Sequence, residues 1–131
     1  MTLYLSWVAV AQSLDGKVPE ALMTIEKALL VNPEELAWRP EAIRIRGELR
    51  RTLGNIDAAE ADFRDAIALA RKIGAMSWEL RAAMSLVRML IKRGGRAEAR
   101  DLLGPLYASF SEGFDTADLV ESKALLDELN Q

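Results

Sequence analysis

Neither cysteine nor histidine occurs anywhere in the 131 residues. Their absence removes disulfides, thiolate nucleophiles, imidazole bases and the usual zinc ligand sets together. No segment has the form G-x-x-x-x-G-K-[ST] that would cradle a phosphate. No apolar run approaches the roughly 18 residues that a membrane helix needs. The N-terminus also lacks the basic n-region and small-residue cleavage site of a signal peptide, so the cytoplasm is the expected location. A surplus of positive charge is missing as well: the net charge is −3, which argues against binding to nucleic acid, since phosphates must be neutralised by Lys and Arg. Carboxylate pairs such as Asp62 with Asp65, or Asp127 with Glu128, have no base, metal set or phosphate loop beside them. They read as solvated surface. No catalytic residue, cofactor or metal is expected in this chain.

Half of the residues are apolar, enough for one continuous core and a single domain. The charges are segregated along the chain. Residues 41–53 hold Arg44, Arg46, Arg50 and Arg51 against Glu41 and Glu48, and residues 77–93 hold Arg81, Arg88, Lys92 and Arg93 against Glu79. The tail from 112 to 131 runs the other way, with Glu112, Asp115, Asp118, Glu121, Asp127 and Glu128 against Lys123.

One pattern is written three times. Gly16, Gly54 and Gly94 are each followed after 5 residues by Ala21, Ala59 or Ala99, after 4 more by Ile25, Phe63 or Leu103, and after 3 more by Ala28, Ala66 or Leu106. The step between units is 38 and then 40 residues, and Trp38 and Trp78 keep the step of 40. A glycine that accepts left-handed backbone closes one helix. The alanine then marks a close approach of two helices, and the large residue one turn on fills the space left beside it. Seven helices are expected, over about 2–14, 18–31, 39–53, 57–73, 78–93, 96–111 and 116–130, with no strand. Asp57 with Glu60 reads as a capping box, Ser77 as the cap of the fifth helix, and Asp115 or Thr116 as the opening of the last. Pro33 and Pro40 separate the second helix from the third. Pro105 inside the sixth predicts a bend near Asp101 and Leu102.

Paired antiparallel helices at such a period resemble the tetratricopeptide (TPR-like) design, in which each pair completes its core against the next. The resemblance rests on Gly47, Gly54, Ala59, Phe63 and Ala66 in the middle unit, and on Gly16, Ala21, Ala28 and Pro33 in the first. It implies an all-α fold, an α-α superhelix of three helix pairs over about 2–33, 39–74 and 77–111, with a C-terminal capping helix at 116–130. A narrower likeness is carried by "RIRGELRRTLG", "AEADFRDAIALARKIGAMSWELRAAMSLVRML" and "GRAEARDLLGPLYASFSEGFDTADLVESKALLDEL". These segments, spanning about residues 43–129, resemble the C-terminal repeat region of large bacterial signalling proteins. In those proteins a class III adenylate/guanylate cyclase domain, or a winged-helix domain, precedes a predicted ATPase. The resemblance implies that the chain is a fragment of such a protein, cut from its sensing or scaffolding part, and that the parent is a cyclase or an ATPase.

In such a stack the first helices of each pair line a concave groove. Arg44 and Arg51 are seven apart, as are Arg81 and Arg88, so each pair shares a helix face. The expected partner-binding groove comprises Arg44, Glu48, Arg51, Arg81, Met84, Arg88 and Lys92, suited to an acidic protein or peptide segment, or to the parent's own ATPase domain. The competing reading makes these residues a solvated face balanced by Glu48 and the acidic tail. Trp7, Trp38 and Trp78 are expected to pack between units, Met84 and Met89 to fill the core, and Phe114 to tuck under the last helix. A homodimer through the N-terminal edge and a small-ligand sensor are the alternatives to a peptide-binding scaffold. No membrane partner is expected.

Overall fold

The computed structural model describes residues 2–31 and 37–131 and is all-helical, with no strand among the described residues. Its helices are α1 (Thr2–Leu14), α2 (Val18–Val31), α3 (Arg39–Thr52), α4 (Ile56–Ile73), α5 (Met76–Lys92), α6 (Arg96–Ala108) and α7 (Ala117–Leu129). Among the described residues no helix is long and apolar enough to cross a membrane. Pro33 lies outside the described residues, whereas Pro40 sits in the first turn of α3, where its missing N–H costs nothing.

The glycines of the repeat close their helices in one way. Gly16, Gly54 and Gly94 have φ of 77°, 86° and 84°, the left-handed region that a side chain would strain. In each turn the glycine N–H returns to a carbonyl three residues back, and the following N–H to one five back: Gly54 to Arg51 at 3.0 Å and Asn55 to Arg50 at 2.8 Å, for example. Gly74 closes α4 with the same pair of bonds, a fourth instance that the repeat spacing alone does not pick out. In all four turns one residue separates the glycine from the next helix.

That tight link corrects two expected caps. α4 begins at Ile56 after Asn55, so Asp57 lies inside the first turn and no capping box forms. α5 begins at Met76 after Ala75, which places Ser77 inside the helix rather than at its cap. Asp57 and Glu79 still put negative charge at the positive ends of α4 and α5. Thr116 precedes α7 in extended conformation, in line with the sequence. α6 continues through Pro105 but stops at Ala108, three residues before the expected end. There the Ser109 hydroxyl donates to the Leu106 carbonyl at 2.6 Å and takes up an acceptor of the last turn.

All nine landmark positions of the repeat are buried, from Ala21, Ala59 and Ala99 to Ile25, Phe63 and Leu103. The tightest crossing joins α3 to α4. A Cβ placed on Gly47 would come within 2.6 Å of the Phe63 ring, which has no exposure of its own and nowhere to move. Beside it the Asp62 carboxylate is buried and held by α3: Arg46 donates at 2.8 Å to one oxygen and Arg50 at 2.9 Å to the other. Asp62 is therefore no solvated acid, although its neighbour Asp65 is exposed.

Each helix packs on its successor, and α1 also touches α3, α3 touches α5, and α5 touches α7. Among the described residues α2, α4 and α6 make no such contact with one another. The odd helices thus form a continuous row. Glu60 ties the back: it accepts from Arg93 at 2.7 Å and from Arg64 at 2.8 Å, and Arg64 reaches on to Glu98 at 2.8 Å.

Gly47→Ala should destabilise the chain by about 1–3 kcal/mol through overpacking, although alanine is the better helix former, and Phe63→Ala by about 3–5 kcal/mol. Denaturant midpoints measure both; a stabilised Gly47→Ala would refute the crossing. The hydrogen bonds from Arg93 and Arg64 lower the Glu60 pKa from 4.5 to about 2. An unfolded glutamate protonates near 4.5 while the folded one keeps its charge, so the contribution is complete above that pH and is lost as pH falls toward about 2. Thermal melts across that window should lose part of their acid sensitivity in Glu60→Gln.

Candidate functional site

The row of odd helices carries a strip of cationic side chains on α3 and α5. Arg44, Glu48 and Arg51 of α3 face Arg88 and Lys92 of α5 across a cavity of about 210 Å³, with Ser85 and Met89 at its floor. Five of the seven residues expected in a groove thus line one hollow. Arg81 lies next to it on the same side, because Arg44 and Arg81 both bind Glu41. Met84 is the exception: it is 2% exposed and belongs to the core. α5 packs against α3, α4, α6 and α7, so a position three residues from Arg81 has no free side to occupy. Met89, one turn nearer Lys92, lines the cavity instead.

The cations differ in how firmly they are held. Glu41, a largely buried carboxylate, receives Arg44 at 2.6 Å and also takes Arg81. Arg81 donates in addition to Asp118 of α7 at 3.1 Å. Burial opposes the Arg81 charge, yet the field and hydrogen bond of Glu41 more than offset it and raise its pKa. Arg51 binds Glu48 at 3.0 Å in a half-exposed pair, and Arg88 binds Glu121 of α7 at 2.9 Å in an exposed one. Lys92 has no partner among the described residues. The acidic tail therefore balances part of the basic row, as the solvated-face reading required, and leaves its Lys92 end unbalanced.

A second hollow of about 410 Å³ adjoins the first. Trp7 of α1, Trp38 just before α3 and Trp78 of α5 all line it, with Val10, Ile45 and the Glu41 cluster. Trp38 and Trp78 pack ring to ring at 5.5 Å, tilted by 57°. The Trp78 indole donates to the Ala37 carbonyl at 2.9 Å, and the Arg81 guanidinium lies 5.7 Å from its ring centre. These two tryptophans do join neighbouring units. Trp7 does not: it is 67% exposed on the open side of α1. Leu14 is 84% exposed two turns further along, beside a smaller hollow shared with Arg44 and Glu48. Arg44 borders all three cavities.

A fourth opening, of about 420 Å³, lies between Met76, Phe110 and Thr116; Glu112 and Asp118 line it and, among the described residues, no cation does. Phe114, expected beneath the last helix, remains 47% exposed and meets the Tyr107 ring at 5.8 Å. Among the described residues no three acidic side chains gather as a metal site. Searched against known proteins, the chain matches no family model and no curated sequence.

The two kinds of ion pair should separate in the stability cost of single substitutions. Asp62→Asn is expected to cost roughly 2–3 kcal/mol, since it strips two arginines of a buried acceptor. Glu121→Gln, which breaks an exposed pair, should cost less than about 1 kcal/mol. Equal costs would mean that α7 holds Arg88 as tightly as α4 holds the α3 arginines.

Proposed function

We propose that the chain is a non-catalytic interaction module: a TPR-like α-α superhelix of three helix pairs and a capping helix, whose inner surface holds a segment of another protein. The observation that carries this reading is the row α1, α3, α5 and α7, each packed on the next, while among the described residues the backbones of the even helices do not pack on one another. An open inner row with hollows along it is the usual form of a concave binding surface in stacked repeats. Recurrence of the same glycine closure and buried landmarks supports the repeat itself. In keeping with the resemblance of residues 43–129, the module would serve a larger bacterial signalling protein of the cyclase or ATPase type. The partner is then a peptide segment or the parent's own ATPase domain.

A second reading, self-assembly, has its own observation. α1 contains no charged residue, and Trp7, Val10 and Leu14 on α1 are exposed together with Met23 and Leu30 on α2. Such a run of apolar surface suits another copy of the chain as well as a foreign segment.

Light scattering over a wide concentration range divides the readings, and a monomer throughout would remove self-assembly. For the module, selection of a random peptide library on the full chain should enrich binders that lose retention on Lys92→Glu and keep it on Lys72→Glu, a change on the exposed surface of α4. Failure to enrich any binder, or binders blind to Lys92→Glu, would reject the inner-surface reading.

A further inference from the structure

We infer that the tryptophan hollow and the basic cavity beside it form one recognition site, for a peptide segment that presents a bulky apolar side chain next to carboxylates. The inference rests on the interaction-module reading and gives it a ligand chemistry.

The chain has three tryptophans, and all three line the same hollow. Packing accounts for two of them, since Trp38 and Trp78 hold each other and the Ala37 carbonyl. It does not account for Trp7, whose indole stays mostly in water at 67% exposure. Exposed apolar area of that size gains free energy when a partner covers it, and tryptophan is among the residues on which binding energy concentrates. At about 410 Å³ the hollow falls within the range of sites that enclose a ligand.

Charge decides the rest of the ligand. The adjoining cavity is lined by Arg44, Arg51, Arg88 and Lys92, with Glu48 as its only carboxylate among the described residues. Arg44 is fixed by the largely buried Glu41 and so acts as a rigid divider between the two hollows. Arg88 is held by an exposed pair and Arg51 by a half-exposed one within its own helix; such surface pairs are worth little and exchange readily for an incoming carboxylate. Among the described residues Lys92 has no pair to break. The apolar half is thus preorganised, and the cationic half is free to accept acidic groups. A nucleic acid suits the face less well, because its phosphates would meet Glu41, Glu48 and Glu121 on a chain of net charge −3.

The test uses the full chain and three short synthetic peptides: glutamates around one phenylalanine, the same with alanine for phenylalanine, and the same with glutamine for glutamate. Because every tryptophan lines the hollow, intrinsic fluorescence reads occupancy directly. The first peptide should give a saturable change. Either replacement in the peptide, and either Trp7→Ala or Lys92→Glu in the protein, should weaken binding roughly tenfold or more. Both positions are exposed, and circular dichroism verifies that both variants stay folded. Equal binding of the three peptides, undiminished binding to Trp7→Ala, or tighter binding of a single-stranded oligonucleotide would overturn the inference. No response to any of the three peptides also overturns it, and library binders of another chemistry would then leave the module reading standing.

Discussion

The fold turns on the place where α3 and α4 cross. Gly47 offers bare backbone to the Phe63 ring, and any side chain there would collide with it. One residue from the ring, Asp62 is gripped from both sides by Arg46 and Arg50. Dispersion and charge act at the same point for different ends. The ring against the glycine sets how near the helices come, and the carboxylate between two guanidiniums sets their register along the axis. A one-residue slip would unseat the ring and leave Asp62 buried without a partner, a costly state. The pair α3–α4 consequently has one arrangement, and α5 is laid upon it.

From that fixed pair the inner row follows. α5 can bury nearly every side because it has neighbours on four helices, and the strip it leaves open carries Arg81, Arg88 and Lys92. α1 reaches the row by lying against α3, and this brings Trp7 to the tryptophans on either side of it. α7 finishes the row with carboxylates where another unit would bring an arginine strip. Asp118 and Glu121 meet Arg81 and Arg88, and Leu119 and Leu129 bury the seam. The proposed site is what remains of the row after the chain has satisfied its own charges.

Much of the architecture was legible in the residues because its signals are local. A left-handed glycine closure involves six consecutive residues, and helical periodicity needs only a few turns, so six of the seven helix starts fall where the sequence put them within one residue. The failures share a different cause. Asp62 sits among Glu60, Arg64 and Asp65 and looks like surface; its burial is decided by arginines 12 and 16 residues away. Met84 follows Arg81 at helical spacing, but the crowding of α5 by four neighbours turns that direction inward. Gly74 repeats the closure of Gly54, yet it lies between two units rather than within one, so a search by period passes over it. The register of Trp38 with Trp78 was visible, whereas the convergence of Trp7 on them depends on which helices become neighbours.

The ends of the row are electrically unlike. α1 carries no formal charge at all, while α7 carries Asp118, Glu121, Asp127 and Glu128 against Lys123, with the cationic strip of α3 and α5 between them. The molecule therefore has a direction written into its field, which reaches about 8 Å into a medium of physiological ionic strength. A charged visitor is turned before it touches, whereas the indoles grip only after contact. Salt would then slow arrival while hardly altering how long the visitor stays.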